Sequence, residues 1–127
     1  MSRTGTDTRR TLGETGERLA LEHLGRLGFA LVARNHRTRW GELDLVVFDG
    51  QTLVFVEVKA RRAAARAGSP LEAVSETKQR QVRRMAAAWL TEVQDRPRST
   101  ELRFDVIGVT VDARGELLRL DHLEGAF

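Results

Sequence analysis

Cysteine is absent from the 127 residues, which excludes disulfide frameworks, thiolate metal sites and cysteine nucleophiles. Histidine is scarce: His23, His36 and His122 are scattered with no ligand-like spacing, so any bound metal must rest on carboxylates. No apolar run approaches the roughly 18 residues that a membrane span needs, and the first ten residues lack the apolar segment of a secretory signal. The chain is therefore expected in the cytoplasm. With only two prolines, 41% hydrophobic and 31% charged residues, the length fits one compact domain and leaves no room for a second.

Lysine is nearly missing too. Of the 21 basic residues, against 18 acidic, only Lys59 and Lys78 are Lys and the other nineteen are Arg. Arg keeps its proton and presents a wide planar fork, whereas a Lys ammonium is a compact point charge whose pKa can move. A site that needs the latter would resist replacement, and the places of the two lysines decide whether their survival is chemical or accidental. The net charge of +3 favours a polyanionic partner only weakly.

Residues 1–11 are polar, rich in Thr and Arg and without periodicity, and read as a disordered arm; residues 12–127 read as a single domain. Thr11 and Glu14 have the spacing of a capping box, Ala20, Leu24 and Leu27 recur at helical intervals, and Gly28 is placed to end that helix. Strands are predicted over Phe29–Arg34, Glu42–Phe48 and Thr52–Lys59, with Asp49-Gly50 as a two-residue hairpin turn between the last two. The basic, low-complexity run Ala60–Ser69 reads as a flexible loop. A second helix, capped by Ser75, carries Val82, Met85, Ala86, Trp89, Leu90 and Val93 at the 3.6-residue period. Strands over Arg103–Val111 and Leu117–Leu120 follow. The strand, crossover helix and strand predict a parallel pairing joined to an antiparallel hairpin in one mixed sheet with helices packed on it.

Polar residues occupy apolar phases in this pattern. A 100° step per residue puts Glu17 on the stripe of Ala20 and Leu24, and puts Lys78 in phase with Val82, Met85 and Trp89. A turn at Asp49-Gly50 would oppose Phe48 to Gln51, Phe55 to Asp44 and Glu57 to Glu42. Asp44, Glu57 and Lys59 then share one face of the sheet, with Asp44 and Glu57 as diagonal neighbours about 7–8 Å apart at the backbone. Glu17 and Lys78 lie on the helix faces that could cover this patch.

Asp44, a gap of twelve residues, then Glu57-Val58-Lys59 has the chemical logic of metal-dependent phosphodiester hydrolysis. Paired carboxylates hold Mg²⁺ or Mn²⁺ with several waters retained, the metal polarises a phosphoryl oxygen and acidifies an attacking water, and a Lys steadies the developing charge. The competing reading is a structural ion-pair cluster, with Lys59 neutralising Glu57 at a sheet edge, Glu42 and Asp44 solvated, and Glu17 paired with an Arg.

Gly16-Glu17, Arg34-Asn35, Gly41-Glu42-Leu43-Asp44-Leu45, Phe55-Val56-Glu57-Val58-Lys59-Ala60-Arg61, Lys78 and Arg103-Phe104-Asp105-Val106-Ile107 together resemble the YraN family of uncharacterised bacterial proteins, from about Leu12 to Phe127. That family looks like a branch of the PD-(D/E)xK nuclease superfamily, similar to Holliday-junction resolvases. The resemblance implies a restriction-endonuclease-like α/β fold with an αβββαβ core. It makes Asp44 and Glu57 the metal-binding acids, Lys59 the catalytic lysine, Glu17 the helix-one acid that completes a Mg²⁺ or Mn²⁺ site, and Lys78 a second catalytic-site cation. Leu43 stands where the superfamily pattern has Pro.

The activity implied is endonucleolytic cleavage of DNA, branched or otherwise structured, with DNA expected ahead of RNA and a homodimer by analogy with resolvases, which cut two strands. A non-catalytic nucleic-acid-binding module with the same fold is the alternative, and a protein-interaction adaptor is a third. Arg37, Arg39, Arg61, Arg62 and Arg66 are the expected phosphate-binding residues, forming a basic rim around the acids. Trp40, in a basic loop, is a candidate for base stacking, while Trp89 is in phase with the core. Asp105 reads as a satisfied core residue, with an auxiliary acid as the alternative.

Overall fold

The computed structural model describes residues 5–64 and 71–127. Helix α1 (Gly5–Arg26) is followed by strands β1 (Ala30–Thr38), β2 (Gly41–Phe48) and β3 (Thr52–Arg62), a 3₁₀ turn (Leu71–Ala73), helix α2 (Glu76–Glu92) and strands β4 (Glu101–Val111) and β5 (Leu117–Leu123). The strands form one sheet in the order β1-β2-β3-β4-β5, with β3 and β4 parallel and every other pair antiparallel. This is the mixed α/β sheet expected, compatible with an αβββαβ nuclease-like core. No helix of the described residues is long and apolar enough to cross a membrane.

Because the parallel pair is covered on both faces, β3 is buried without a break from Thr52 to Glu57. Ala20 and Leu24 of α1 pack on Leu45, Val47, Val54, Val56, Ile107, Val109 and Val111 of the sheet. Val82, Met85, Ala86 and Trp89 of α2 pack on Leu43, Val46, Leu53 and Phe55 of the sheet. Phe55 meets Trp89 edge-on at 5.8 Å between ring centroids, so Trp89 is a core residue, 1% exposed. Asp105 is fully buried and satisfied by Arg103, His122 and the Gly125 amide. Burial alone would raise its pKa, but these hydrogen bonds hold it below the usual carboxylate value.

Four expectations need correction. The first helix starts at Gly5, so the Thr11–Glu14 spacing lies inside it: once a turn has formed, adding residues costs little, and no proline stands in the way. Residues 1–4 of the expected arm lie outside the described residues. Asn35–Thr38 are no loop either but continue β1, which pairs with β2 as far as Thr38–Gly41 and leaves only Arg39-Trp40 as the turn. Likewise Ala60, Arg61 and Arg62 continue β3, held by pairing to Val109, Thr110 and Val111; Ala63 and Ala64 form a turn, and 65–69 of the expected loop lie outside the described residues.

The fourth correction is the hairpin register. Phe48 pairs with Leu53 and Leu45 with Val56, two residues away from the expected pairing. Asp49 explains it: its Oδ1 accepts the amides of Gln51 at 3.0 Å and Thr52 at 2.8 Å, which centres the turn on Gly50-Gln51. A shift of two keeps every side chain on its face, where a shift of one would have reversed them all.

Candidate active site

The β2–β3 ladder ends at Leu45–Val56. One step further it would bring Asp44 level with Glu57, and two steps further the Val58 amide would meet the Leu43 carbonyl. Instead, Asp44 Oδ2 accepts the Val58 amide at 2.8 Å. The alternation of side chains fails at the same place, since Leu43 and Val46 both belong to the core under α2. Asp44 therefore does not stand on one face as a regular pleat would have it. Its carboxylate lies in the gap where β2 and β3 part, and residues from both helices influence it.

From β3, Glu57 is 4% exposed, and its Oε1 lies 3.7 Å from Lys59 Nζ and 3.5 Å from Lys78 Nζ. Lys78 enters from the first turn of α2, whose N-cap, Ser75, accepts the Lys78 amide at 3.1 Å. Both lysines of the sequence thus converge on one buried carboxylate. Burial, and then the Asp44 charge, push Glu57 up to about 7 against the pull of the two ammonium groups. Asp44 is also raised, by burial and the charge of Glu42, although the Val58 amide and both lysines oppose this.

Glu17 reaches the gap from α1. The close approach that allows it is made at Gly16, where a Cβ would meet the Ala60 Cβ at 2.6 Å. Glu17 lies 3.9 Å from Arg34 and is hydrogen-bonded by the Asn35 side chain, with Asn35 held at φ 50°. Burial and the charges of Asp44 and Glu42 raise its pKa, while Asn35 and Arg34 lower it. Among the described residues no three His, Asp or Glu side chains converge closely enough to hold one ion. The expected metal trio is thus reduced to a facing pair, Asp44 and Glu57, because α1 sits across the sheet from α2 and Asn35 and Arg34 hold Glu17. The tie of Asn35 to Glu17 is a contact that the sequence pattern alone does not give, although Arg34-Asn35 and Gly16-Glu17 stand in the same set of motifs.

The arginines divide. Arg61 donates to Thr110 Oγ1 at 3.3 Å and, with Lys59, Ala73, Gly108 and Asp121, whose carboxylate is paired with Arg119, lines a recess of about 150 Å³ on the Glu57 side. Arg62 points the other way, beside Thr11, Leu12 and Thr15 of α1, and donates to the Asp112 carbonyl at 3.4 Å. Strand alternation, which a loop would not have imposed, takes Arg62 off the rim. Arg37 is exposed and 3.7 Å from Glu42. Arg39 lies over the Trp40 ring at 4.7 Å. Arg66 lies outside the described residues.

The cluster has some ion pairs of a structural one, Lys59–Glu57 and Arg34–Glu17, but not its setting. Glu57 is on the central strand, not at an edge, and Asp44 is half-buried with one oxygen engaged. Two like charges in this position repel, which a purely structural ion pair has no use for. All the donors are carboxylate oxygens, which suit a hard divalent cation that is bound by one or two carboxylates and keeps several waters.

Comparison with known sequences adds the family. A sequence model described as "Uncharacterised protein family UPF0102" matches residues 16–109, the span from Gly16 through every acid and lysine of the cluster. Among relatives, a UPF0102 protein of Nocardia farcinica is 46% identical over 119 residues, covering 94% of this chain and 91% of its own. One from Chlorobium chlorochromatii is 45% identical, covering 91% and 90%, and one from Geobacter sulfurreducens is 44% identical, covering 97% and 93%.

Proposed function

Since the chain belongs to the UPF0102 (YraN) family, whose name assigns no activity, we propose from its site that it is a metal-dependent endonuclease that hydrolyses phosphodiester bonds in DNA. The observation that carries this reading is the burial of Glu57 beside Asp44, with Lys59 and Lys78 both on its Oε1. A protein gains nothing in stability from a buried acid whose pKa is raised further by the charge of a second, so the pair makes sense as the seat of a cation.

Asp44 and Glu57 would hold Mg²⁺ or Mn²⁺, with Glu17 adding its field from the far side of the gap. The bound ion supplies polarisation of a phosphoryl oxygen and an acidified water. The chain's own residues do the rest. The Val58 amide fixes the Asp44 carboxylate so that it need not reorganise. Lys59, about a third exposed and lining the recess with Arg61, can reach a phosphate oxygen while staying near Glu57. Lys78, less exposed, offsets the charge of Glu57 and tethers α2 to the acids. Arg37, Arg39 and Arg61 supply phosphate contacts around them. Activity on DNA would place the protein in the cytoplasm, and cutting both strands of a branched substrate would call for a homodimer.

Incubation with labelled duplex, single-stranded and four-way-junction DNA in Mg²⁺ or Mn²⁺ tests this. Cleavage that needs the metal and disappears in Asp44→Asn is expected, with binding that weakens steeply as salt rises. Binding of nucleic acid without metal-dependent cleavage, unchanged in Asp44→Ala, would instead make the protein a non-catalytic binding module.

A further inference from the structure

Trp40 is the one tryptophan with its ring at the surface, 37% exposed, and its neighbourhood is built with care. It sits in the β1–β2 turn, where Thr38 Oγ1 accepts the Trp40 amide at 3.1 Å and donates to the Gly41 carbonyl at 2.9 Å. Gln81 of α2 donates to the Trp40 carbonyl. Gly41, at φ 133°, lets the turn lie against α2, because a Cβ there would come within 2.7 Å of Gln81 Nε2 and 3.2 Å of Met85 Sδ. Two guanidinium groups lie over the ring, Arg39 at 4.7 Å and Arg84 at 5.0 Å from its centroid.

A turn tied down at three points to hold an exposed indole is more than a connection between strands. Beside Trp40 is a recess of about 310 Å³ lined by Trp40, Thr77, Arg80, Gln81 and Arg84, with two guanidinium groups and no carboxylate. A second recess that shares Trp40 and Arg84 includes Glu92, which would repel a phosphate. The first is linked to the acids through α2: Lys78, which reaches Glu57, is one helical turn before Gln81, which holds Trp40 and lines the recess. One stretch of α2 therefore spaces the indole from the carboxylates.

We propose that Trp40, Arg80 and Arg84 form a stacking site for an unpaired nucleobase and its phosphate, setting the strand beside Asp44 and Glu57. This rests on the nuclease reading and adds that the substrate carries single-stranded nucleotides next to the bond to be cut. A base in a duplex has both π-faces covered, so only an unpaired one can lie on the ring. In binding, the base takes the place of the Arg84 guanidinium over the indole, and the freed Arg84 joins Arg80 on the phosphate. Nothing is lost in the exchange, since the guanidinium trades a cation–π contact for a charge-assisted one.

The second tryptophan makes the test direct. Trp89→Phe leaves Trp40 as the sole indole, and its emission is followed in metal-free buffer, where no cleavage occurs, during titration with a thymidine oligonucleotide, the same length of duplex, and heparin. Saturable quenching by the single strand and not by duplex or heparin is expected. By fluorescence anisotropy of a labelled single strand, Trp40→Ala should bind about 5- to 100-fold more weakly, with Trp40→Phe recovering most of the loss. Equal quenching by heparin would overturn the proposal, because charge alone would then account for it. So would tight single-strand binding that leaves Trp40 emission unchanged, or no binding at all. If metal-dependent cleavage persists in Trp40→Ala at the wild-type rate, the stacking site fails while the nuclease stands.

Discussion

The Asp44 carboxylate takes the Val58 backbone amide at the point where β2 and β3 stop pairing. It does the work of a backbone carbonyl while remaining a charged group beside Glu57. The two roles separate by substitution. Asp44→Asn keeps an oxygen for the Val58 amide and removes the charge, so cleavage is lost while the fold, in metal-free buffer, is as stable as wild type or slightly more so. Asp44→Ala loses cleavage too and orphans the amide, which costs about 1–3 kcal/mol. Urea denaturation in EDTA distinguishes the two, and a destabilised Asp44→Asn would mean that the charge is structural.

Glu57 predicts how stability follows pH. Its pKa is about 7 in the folded chain against 4.5 ordinarily, so between these values the folded state binds more protons than the unfolded one. Stability without metal must then fall as pH rises from about 4.5 to 7, by up to about 3 kcal/mol from this group alone. Glu57→Gln should remove that fall, and Mg²⁺ should reverse it above pH 7 by binding the ionised pair. Parallel pH profiles for the wild type and Glu57→Gln in EDTA would refute the account.

The two lysines both approach Glu57 Oε1, at 3.7 and 3.5 Å, yet their surroundings differ. Lys59 lines the recess with Arg61, whereas Lys78 lies on the turn of α2 capped by Ser75. Lys59→Gln is expected to lower single-turnover cleavage by about 100-fold or more with substrate binding nearly unchanged, as for a group that acts on the reacting phosphate. Lys78→Gln should cost less in rate and move the pH at which Mg²⁺ binding is half-maximal upwards, since Glu57 then keeps its proton longer. Equal losses from both, with no shift in the pH dependence, would show the two to be interchangeable counter-ions.

What could be read from the sequence was what obeys a fixed period. Glu17 and Lys78 were legible because a helix advances 100° per residue whatever surrounds it, and the parallel β3–β4 pairing followed from strand, crossover and strand. The register was missed by two residues because the Asp49 side chain, capping two amides, moves the turn, and composition does not say which residue of Asp49-Gly50-Gln51 will be central. Ala60–Arg62 read as loop because its own propensity is poor, but pairing to Val109–Val111 overrides propensity. The parting of β2 from β3 at Asp44 was illegible in principle, because period-two reasoning assumes the ladder that Asp44 interrupts. An even shift preserves faces, so Glu57 and Lys59 keep theirs, and Asp44 stays beside them through the Val58 amide, not through the pleat.

Gly13 and Gly16 offer a last test of how α1 carries Glu17 to the gap. Both are helical, where Ala is favoured over Gly by about 1 kcal/mol. Nothing lies within 4 Å of a Cβ built on Gly13, so Gly13→Ala should stabilise the protein by up to that amount. At Gly16 the same methyl would come within 2.6 Å of the Ala60 Cβ, and overpacking at a strand costs about 1–3 kcal/mol, enough to cancel or exceed the helical gain. Gly16→Ala should therefore be neutral to destabilising and, by lifting α1 from β3, withdraw Glu17 from Asn35 and Asp44, lowering cleavage in Mg²⁺ where Gly13→Ala leaves it unchanged. Thermal unfolding and the cleavage rate of the two variants, measured side by side, check both halves. If Gly16→Ala gains as much stability as Gly13→Ala and cuts at the wild-type rate, the close approach of α1 to β3 is not what positions Glu17.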